Sequence, residues 1–166
     1  MSLPRSPSTY QIALGLLARR ELSTSQLRHR LTRRDLPRSE IEAAITRLAR
    51  ERAVDDTRMA LSYARRAAEV KLRGQSRTRR DIEALGIDAA TAGRAVAAVF
   101  DEVDEESVLE RAIAKRLDGA IRDRAQFRRL SQALLRQGFP PDRVAAALVV
   151  RTQGNVDMSG FLDVDH

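Results

Sequence analysis

Three stretches of this chain repeat one apolar pattern at a near-constant spacing, and that repeat constrains the fold more than any other feature. They are LRHRLTRRDLPRSEIEAAITRL from Leu27, TRRDIEALGIDAATAGRAVAAV from Thr78 and LSQALLRQGFPPDRVAAALVVR from Leu130. The first and last lie 103 residues apart, and the middle copy sits at about half that offset. Leu31, Ile82 and Leu134 fall together, as do Leu36, Ile87 and Phe139, then Ile41, Ala92 and Val144, then Ile45, Val96 and Leu148. A repeat of about 51 residues marks a chain of small units that bury their apolar faces on their neighbours. Composition points the same way. With no Trp, two Tyr and four Phe, the unit relies on Ala, Leu, Ile and Val and buries little alone.

Each copy reads as three helices. In the first, residues 10–22 carry Leu14, Leu17 and Ala18 at helical spacing. Ser23 with Gln26 forms a capping box for a helix through Leu27 and Leu31. That helix stops near Asp35, and Pro37 starts the next, with Ile41, Ile45 and Leu48 on one stripe. In the second copy, Asp55 or Asp56 caps a helix that Gly74 ends. A helix over residues 78–85 closes at Gly86, and Asp88 caps its successor. The acidic run at 101–106 opens the third copy, which continues through Leu109, Ala112, Ile113 and Leu117. Gly86 and Gly138 share one slot, suited to positive φ, where the first copy has Asp35. No segment alternates with the period of a strand. The expected fold is all-α: three tandem three-helix repeats, helix-turn-helix-like without a wing, in an elongated curved stack. The expected boundaries are a flexible N-terminus (1–9), repeats at 10–52, 53–101 and 102–152, and a C-terminal tail (153–166).

Several classes of chemistry find no support. The chain has no Cys, hence no disulfide or thiolate metal site, and this fits a reducing cytosol. Only His29 and His166 offer imidazole, and no phosphate-binding Gly loop occurs. The carboxylates at 101–106 and the Asp55–Asp56 pair read as helix starts. No enzyme activity, metal or cofactor is expected. The N-terminus lacks an apolar signal core, and no run reaches the length of a membrane helix, so a cytoplasmic monomer is the expectation.

Charge is the informative property. Net charge is +7, and of 30 basic residues only Lys71 and Lys115 are Lys, a skew that a GC-rich genome also produces. Placement carries more weight than number. Arg28, Arg30, Arg33 and Arg34 crowd the second helix of the first copy. Arg73, Arg77, Arg79 and Arg80 surround the corresponding helix start in the second, and Arg122, Arg124, Arg128, Arg129 and Arg136 lie in the third. The same element of each copy is basic. Beside free helix N–H groups such Arg residues suit phosphate or carboxylate. No element for reading bases and no aromatic stacking platform is present, so DNA contact would be non-specific, to single or double strands.

The stretches LARRELSTSQLRHRL, ITRLARERAVDDTRMALSYARR, RGQSRTRRDIEALGI and LLRQGFPPDRV resemble the RecX family of bacterial recombination regulators. The middle of the chain carries the most specific match: Leu48, Val54, Asp55, Asp56, Met59, Ala60, Arg65 and Arg66, then Gly74, Arg77, Arg79 and the run Ile82, Leu85, Gly86 and Ile87. Departures are Gln75–Ser76 after Gly74, Asp35 in place of Gly, and Met59 where Phe is frequent. The resemblance implies a modular helical-repeat protein that binds the RecA filament in its groove. It also implies inhibition of recombinase, ATPase and co-protease activities in DNA repair and the SOS response. The Arg73, Arg77, Arg79 and Arg80 cluster is the expected centre of that contact. The rival reading is an Arg-rich, non-specific DNA-binding or nucleoid-associated protein that acts without RecA.

Overall fold

The computed structural model describes residues 7–152; the expectations for residues 1–6 and for the 153–166 tail lie outside them. The described residues form nine α-helices: α1 (Thr9–Arg19), α2 (Thr24–Thr32), α3 (Arg38–Arg50), α4 (Asp56–Glu69), α5 (Gln75–Glu83), α6 (Ala89–Glu102), α7 (Glu105–Ala114), α8 (Arg124–Arg136) and α9 (Pro141–Val149). Extended pairing among them is limited to one parallel bridge, Ile121 with Thr152. The fold is all-α, with the helices falling in three sets of three.

The repeat register governs burial. Leu31, Ile82 and Leu134 are each 0% exposed; at the next shared position Ile87 and Phe139 are buried and Leu36 half-buried, and Ile41, Ala92 and Val144 are buried at the following one. Ile45, Val96 and Leu148 are buried at the one after. The turn between the second and third helices also repeats. Asp35, Gly86 and Gly138 take φ of 54°, 80° and 92°, the left-handed region that ends a helix without continuing it. Asp tolerates that region better than most side chains, and Asp35 is exposed.

Local signals set the helix starts. Ser23 accepts from the Gln26 amide while the Gln26 side chain accepts from the Ser23 amide, a complete capping box; Ser8 and Gln11 form another at α1. Asp55 accepts from the Arg58 amide, so it is the cap of α4, and Asp56 is used elsewhere. Asp88 caps α6 through the Thr91 amide, and Asp104 caps α7 through Glu106 and Ser107.

Four expectations need correction. Helix α1 buries Ala13 and Leu16, with Thr9, whereas Leu14 is 38% exposed, Ala18 is exposed and Leu17 only half-buried. Apolar residues at 12–14 and 16–18 permit more than one stripe, and packing selects the one that meets α3. Second, α4 ends at Glu69, five residues before Gly74, with Leu72 at φ 52° in the exit turn. Gly74 instead caps α5 through its backbone, its carbonyl accepting from the amide and hydroxyl of Thr78. Third, α5 begins at Gln75 rather than near residue 78. Fourth, Asp101 and Glu102 close α6, and only residues 104–106 belong to the start of α7.

The chain divides into two compact units, one holding the chain up to Ala64 with Arg79–Ala98, the other Arg65–Thr78 with the chain from Val99. In unit 1, α1, α2 and α3 pack on one another around Leu22, Leu27, Leu31, Ile45 and Leu48. In unit 2, α7, α8 and α9 enclose Leu109, Ile113, Phe127, Leu134 and Leu148, and Leu72 joins that core.

Candidate anion-binding site

One junction between equivalent segments occurs in both units, and each occurrence borders a cation-lined concavity. In unit 1 the α5–α6 turn meets the start of α2. The Ser23 hydroxyl donates to the Leu85 carbonyl (2.5 Å), and a Cβ on Gly86 would fall 2.5 Å from the Ser25 side chain. In unit 2 the α8–α9 turn meets the start of α5 in the same way. The Gly74 amide donates to the Gln137 carbonyl (2.9 Å), and the Ser76 hydroxyl to the Gly138 carbonyl (3.0 Å). By the repeat register Ser23 corresponds to Gly74, and Leu85 to Gln137.

Acids complete both junctions. The first amide of α2, on Thr24, donates to Asp56 (2.8 Å), and the first amide of α5, on Gln75, donates to Glu105 (3.1 Å). Each acid comes from the start of the first helix of the next copy. A carboxylate therefore already occupies these first-turn donors, which corrects the expectation that free helix N–H groups stand ready beside the Arg residues. Anion binding here rests on side chains.

The concavity of unit 1, about 710 Å³, is lined by Arg20 from the exit of α1, His29 and Arg30 on α2, and Arg33 and Arg34 beyond it. Leu16, Ala84 and Leu85 contribute apolar lining beside Ser25, Gln26 and Gly86. Among the described residues no carboxylate pairs with any of these four Arg. Arg28 is separate: it makes a two-pronged ion pair with Glu42 (2.7 and 3.0 Å). The hydrogen bond from Arg28 holds the Glu42 carboxyl below its ordinary value, and the same bond raises Arg28. Three of the four candidates of this segment, Arg30 on α2 and Arg33 and Arg34 beyond it, thus share one cavity, and Arg20 joins them.

The concavity of unit 2, about 530 Å³, is ringed by Lys71, Arg73, Arg77, Lys115, Arg116 and Arg136. Arg73 and Arg77 are half-buried and Arg136 is exposed. Gln137 also lines this space, and its Oε1 is buried without a partner among the described residues. The other candidates lie apart from this cavity. Arg79 pairs with Glu83 one turn on (2.9 Å), and both Arg79 and Arg80 belong to unit 1. Arg128 and Arg129 are exposed on α8, where Arg129 lines a smaller hollow with Arg116 and Gln126. Sequence reading missed Arg20, Arg116, Lys71 and Lys115 as members of these cavities. The repeat register itself held one signal, since Arg20 and Lys71 are equivalent positions 51 residues apart.

Among the described residues no cluster of three His, Asp or Glu is placed to hold a metal ion. No helix there is long and apolar enough to cross a membrane.

Comparison with known proteins adds identity to this geometry. The sequence profile described as "RecX, first three-helix domain" matches residues 10–48, which cover most of α1 to α3. A protein named Regulatory protein RecX from Treponema pallidum is 31% identical over 144 residues, covering 86% of this chain and 85% of its own. The protein of that name from Stenotrophomonas maltophilia K279a is 32% identical over 147 residues, covering 87% of each chain. Another, from Geobacillus kaustophilus, is 31% identical, but the match covers 52% of its length, so the chain spans about half of that relative. The crystal structure of RecX from Lactobacillus salivarius superposes with a TM-score of 0.68 over 86% of this chain and 95% of its own, at 21% identity, which speaks to the fold. The chain belongs to the RecX family of regulatory proteins.

Proposed function

We propose that this chain acts in the cytoplasm by binding the RecA–DNA filament and inhibiting its ATPase, recombinase and co-protease activities during DNA repair and the SOS response. The observation that carries the reading is the junction built twice, each time beside a concavity lined by four or more cations. Such sites suit a partner that carries a regular run of negative charge, as DNA held in a filament does. Contacts of moderate strength at several places then act together, because each one raises the effective concentration for the next.

Inhibition requires more than attachment. A ligand slows ATP turnover only if it favours one filament state over the others in the cycle. Cations placed in cavities meet this condition when phosphates or carboxylates of one state fit them and those of another do not. The contact candidates remain Arg73, Arg77, Arg79 and Arg80 with Arg28, Arg30, Arg33, Arg34, Arg128, Arg129 and Arg136. Arg28 and Arg79 would have to exchange their present Glu partners.

The test follows RecA ATP hydrolysis on single-stranded DNA as the protein is added. The expected outcome is inhibition at ratios well below one protein per recombinase monomer, weakened about tenfold or more by Arg129→Glu/Arg136→Glu. Inhibition only once the DNA is coated would replace this reading with the non-specific DNA-binding one. The DNA contribution is measured separately. With about four phosphates neutralised, log K against log salt slopes near −3 to −4, with no preference among duplex sequences.

A further inference from the structure

We infer that the unit 1 concavity is a specific phosphoanion site, formed by Arg20, His29, Arg30, Arg33 and Arg34, for a ligand carrying two or more neighbouring phosphates. Four guanidinium groups line one cavity of about 710 Å³ with no carboxylate paired to any of them. Elsewhere in the same unit guanidinium groups do find acids: Arg28 with Glu42, Arg47 with Glu51, Arg58 with Glu21 and Arg79 with Glu83. Arg38 and Arg50 of unit 1 also have no paired acid, but they stand outside this concavity, which gathers four such groups in one place. Like charges gathered this way repel one another, and an incoming polyanion relieves that repulsion while accepting forked hydrogen bonds.

The surroundings sharpen the choice of ligand. The Thr24 amide at the start of α2 is taken by Asp56, so a single anion seated on a helix end is not what the site offers. The cations instead come from the exit of α1, the body of α2 and the turn after it. No Phe, Tyr or Trp lines the cavity, so it lacks the extended aromatic platform on which successive bases stack. Phosphate chemistry without base recognition has two sources, the backbone of a nucleic-acid strand and a free oligophosphate. The inference rests on the side chains of this chain and does not require that RecA is the partner.

The probes are inorganic tripolyphosphate, followed by calorimetry, and a fluorescent oligonucleotide, followed by anisotropy, both with the full chain alone at low salt. The variant Arg30→Gln/Arg33→Gln is compared with Arg38→Gln/Arg50→Gln, which removes equal charge from exposed positions of the same unit outside the cavity. Loss of affinity of about tenfold or more for at least one probe in the cavity variant, against about threefold or less in the control, supports the site. If the cavity variant loses the oligonucleotide and tripolyphosphate displaces that strand from wild type, the natural ligand is strand phosphate. If it loses tripolyphosphate alone, the ligand is a free oligophosphate. Equal losses in both variants, or no binding of either probe by wild type, would overturn the inference. A cavity variant that loses phosphate affinity yet inhibits RecA as wild type does leaves the filament reading standing and assigns the site a separate role.

Discussion

The two junctions solve one packing problem with different atoms. In unit 1 a side chain spans the gap, the Ser23 hydroxyl reaching the Leu85 carbonyl across 62 positions of sequence. In unit 2 the corresponding residue is Gly74, and its amide bonds directly to the Gln137 carbonyl. The backbones approach so closely that a Cβ on Gly74 would overlap the Gly138 carbonyl, and a Cβ on Gly138 would overlap the Arg77 backbone. At the unit 1 junction the atoms facing Gly86 belong to the Ser25 side chain. Equivalent contacts thus differ in what they tolerate: one is a joint through side chains, the other through main chain. The cavities beside them differ too, since unit 1 draws cations from the exit of α1, from α2 and from the turn after it, whereas unit 2 draws them from residues 71–77, 115–116 and α8.

The largest expected effect tests whether the two units are equivalent at all. Leu31→Ala and Leu134→Ala should each cost roughly 2–5 kcal/mol in denaturant unfolding, against less than about 0.5 kcal/mol for a surface change such as Gln132→Ala. A small effect at either Leu would break the shared register.

Next comes the contrast between the junctions. Gly74→Ala should cost about 3 kcal/mol, because backbone on the far side has no rotamer to change. A cost near that of an ordinary surface Gly would show that the main-chain contact is looser than described. Ser23→Ala should cost about 2 kcal/mol, since Ser23 is fully buried, caps α2 and donates to Leu85. The exposed Ser76 should cost less than about 1 kcal/mol on change to Ala. Reversal of the order at Ser23 and Ser76 would mean the hydroxyl is not what joins unit 1.

The smallest effect is a pH dependence confined to one unit. Asp88 caps α6 in unit 1, and its counterpart at α9 is Pro140, which has no side-chain cap. Backbone and hydroxyl hydrogen bonds from Thr91 hold the Asp88 carboxyl below its ordinary value. A carboxyl depressed in the folded state adds stability above its unfolded value and loses it as pH falls through the folded one. Unfolding midpoints should therefore drop on acidification below the ordinary Asp range. Asp88→Asn should keep the cap and remove this part of the dependence; an unchanged acid profile would remove Asp88 as its source.

Much of this was legible beforehand, for local reasons. Ser23 with Gln26 and Asp88 with Thr91 act over three residues, so their caps can be read directly from spacing. Helical phase was legible where apolar residues are sparse, as at Ile41, Ile45 and Leu48, and misread where they are dense, as around Leu14 and Leu17. Gly74 was misassigned because a glycine near a helix end has two uses. It can terminate the helix before it or admit a distant backbone, and only the second applies here.

The sequence by itself determined the all-α class, the threefold repeat and the positive-φ slot shared by Asp35, Gly86 and Gly138. Those follow from periodicities and backbone preferences that act within one turn of helix. Only the tertiary structure decided which cations share a cavity. Arg28 and Arg30 are two residues apart, yet the first turns to Glu42 and the second lines the unit 1 concavity with Arg20. Residues two apart on a helix are turned by about 200° about its axis and so point to nearly opposite sides, and neighbours in the sequence face different surroundings. Which acid or cavity each one meets depends on packing between segments distant in the chain, and no local spacing encodes it.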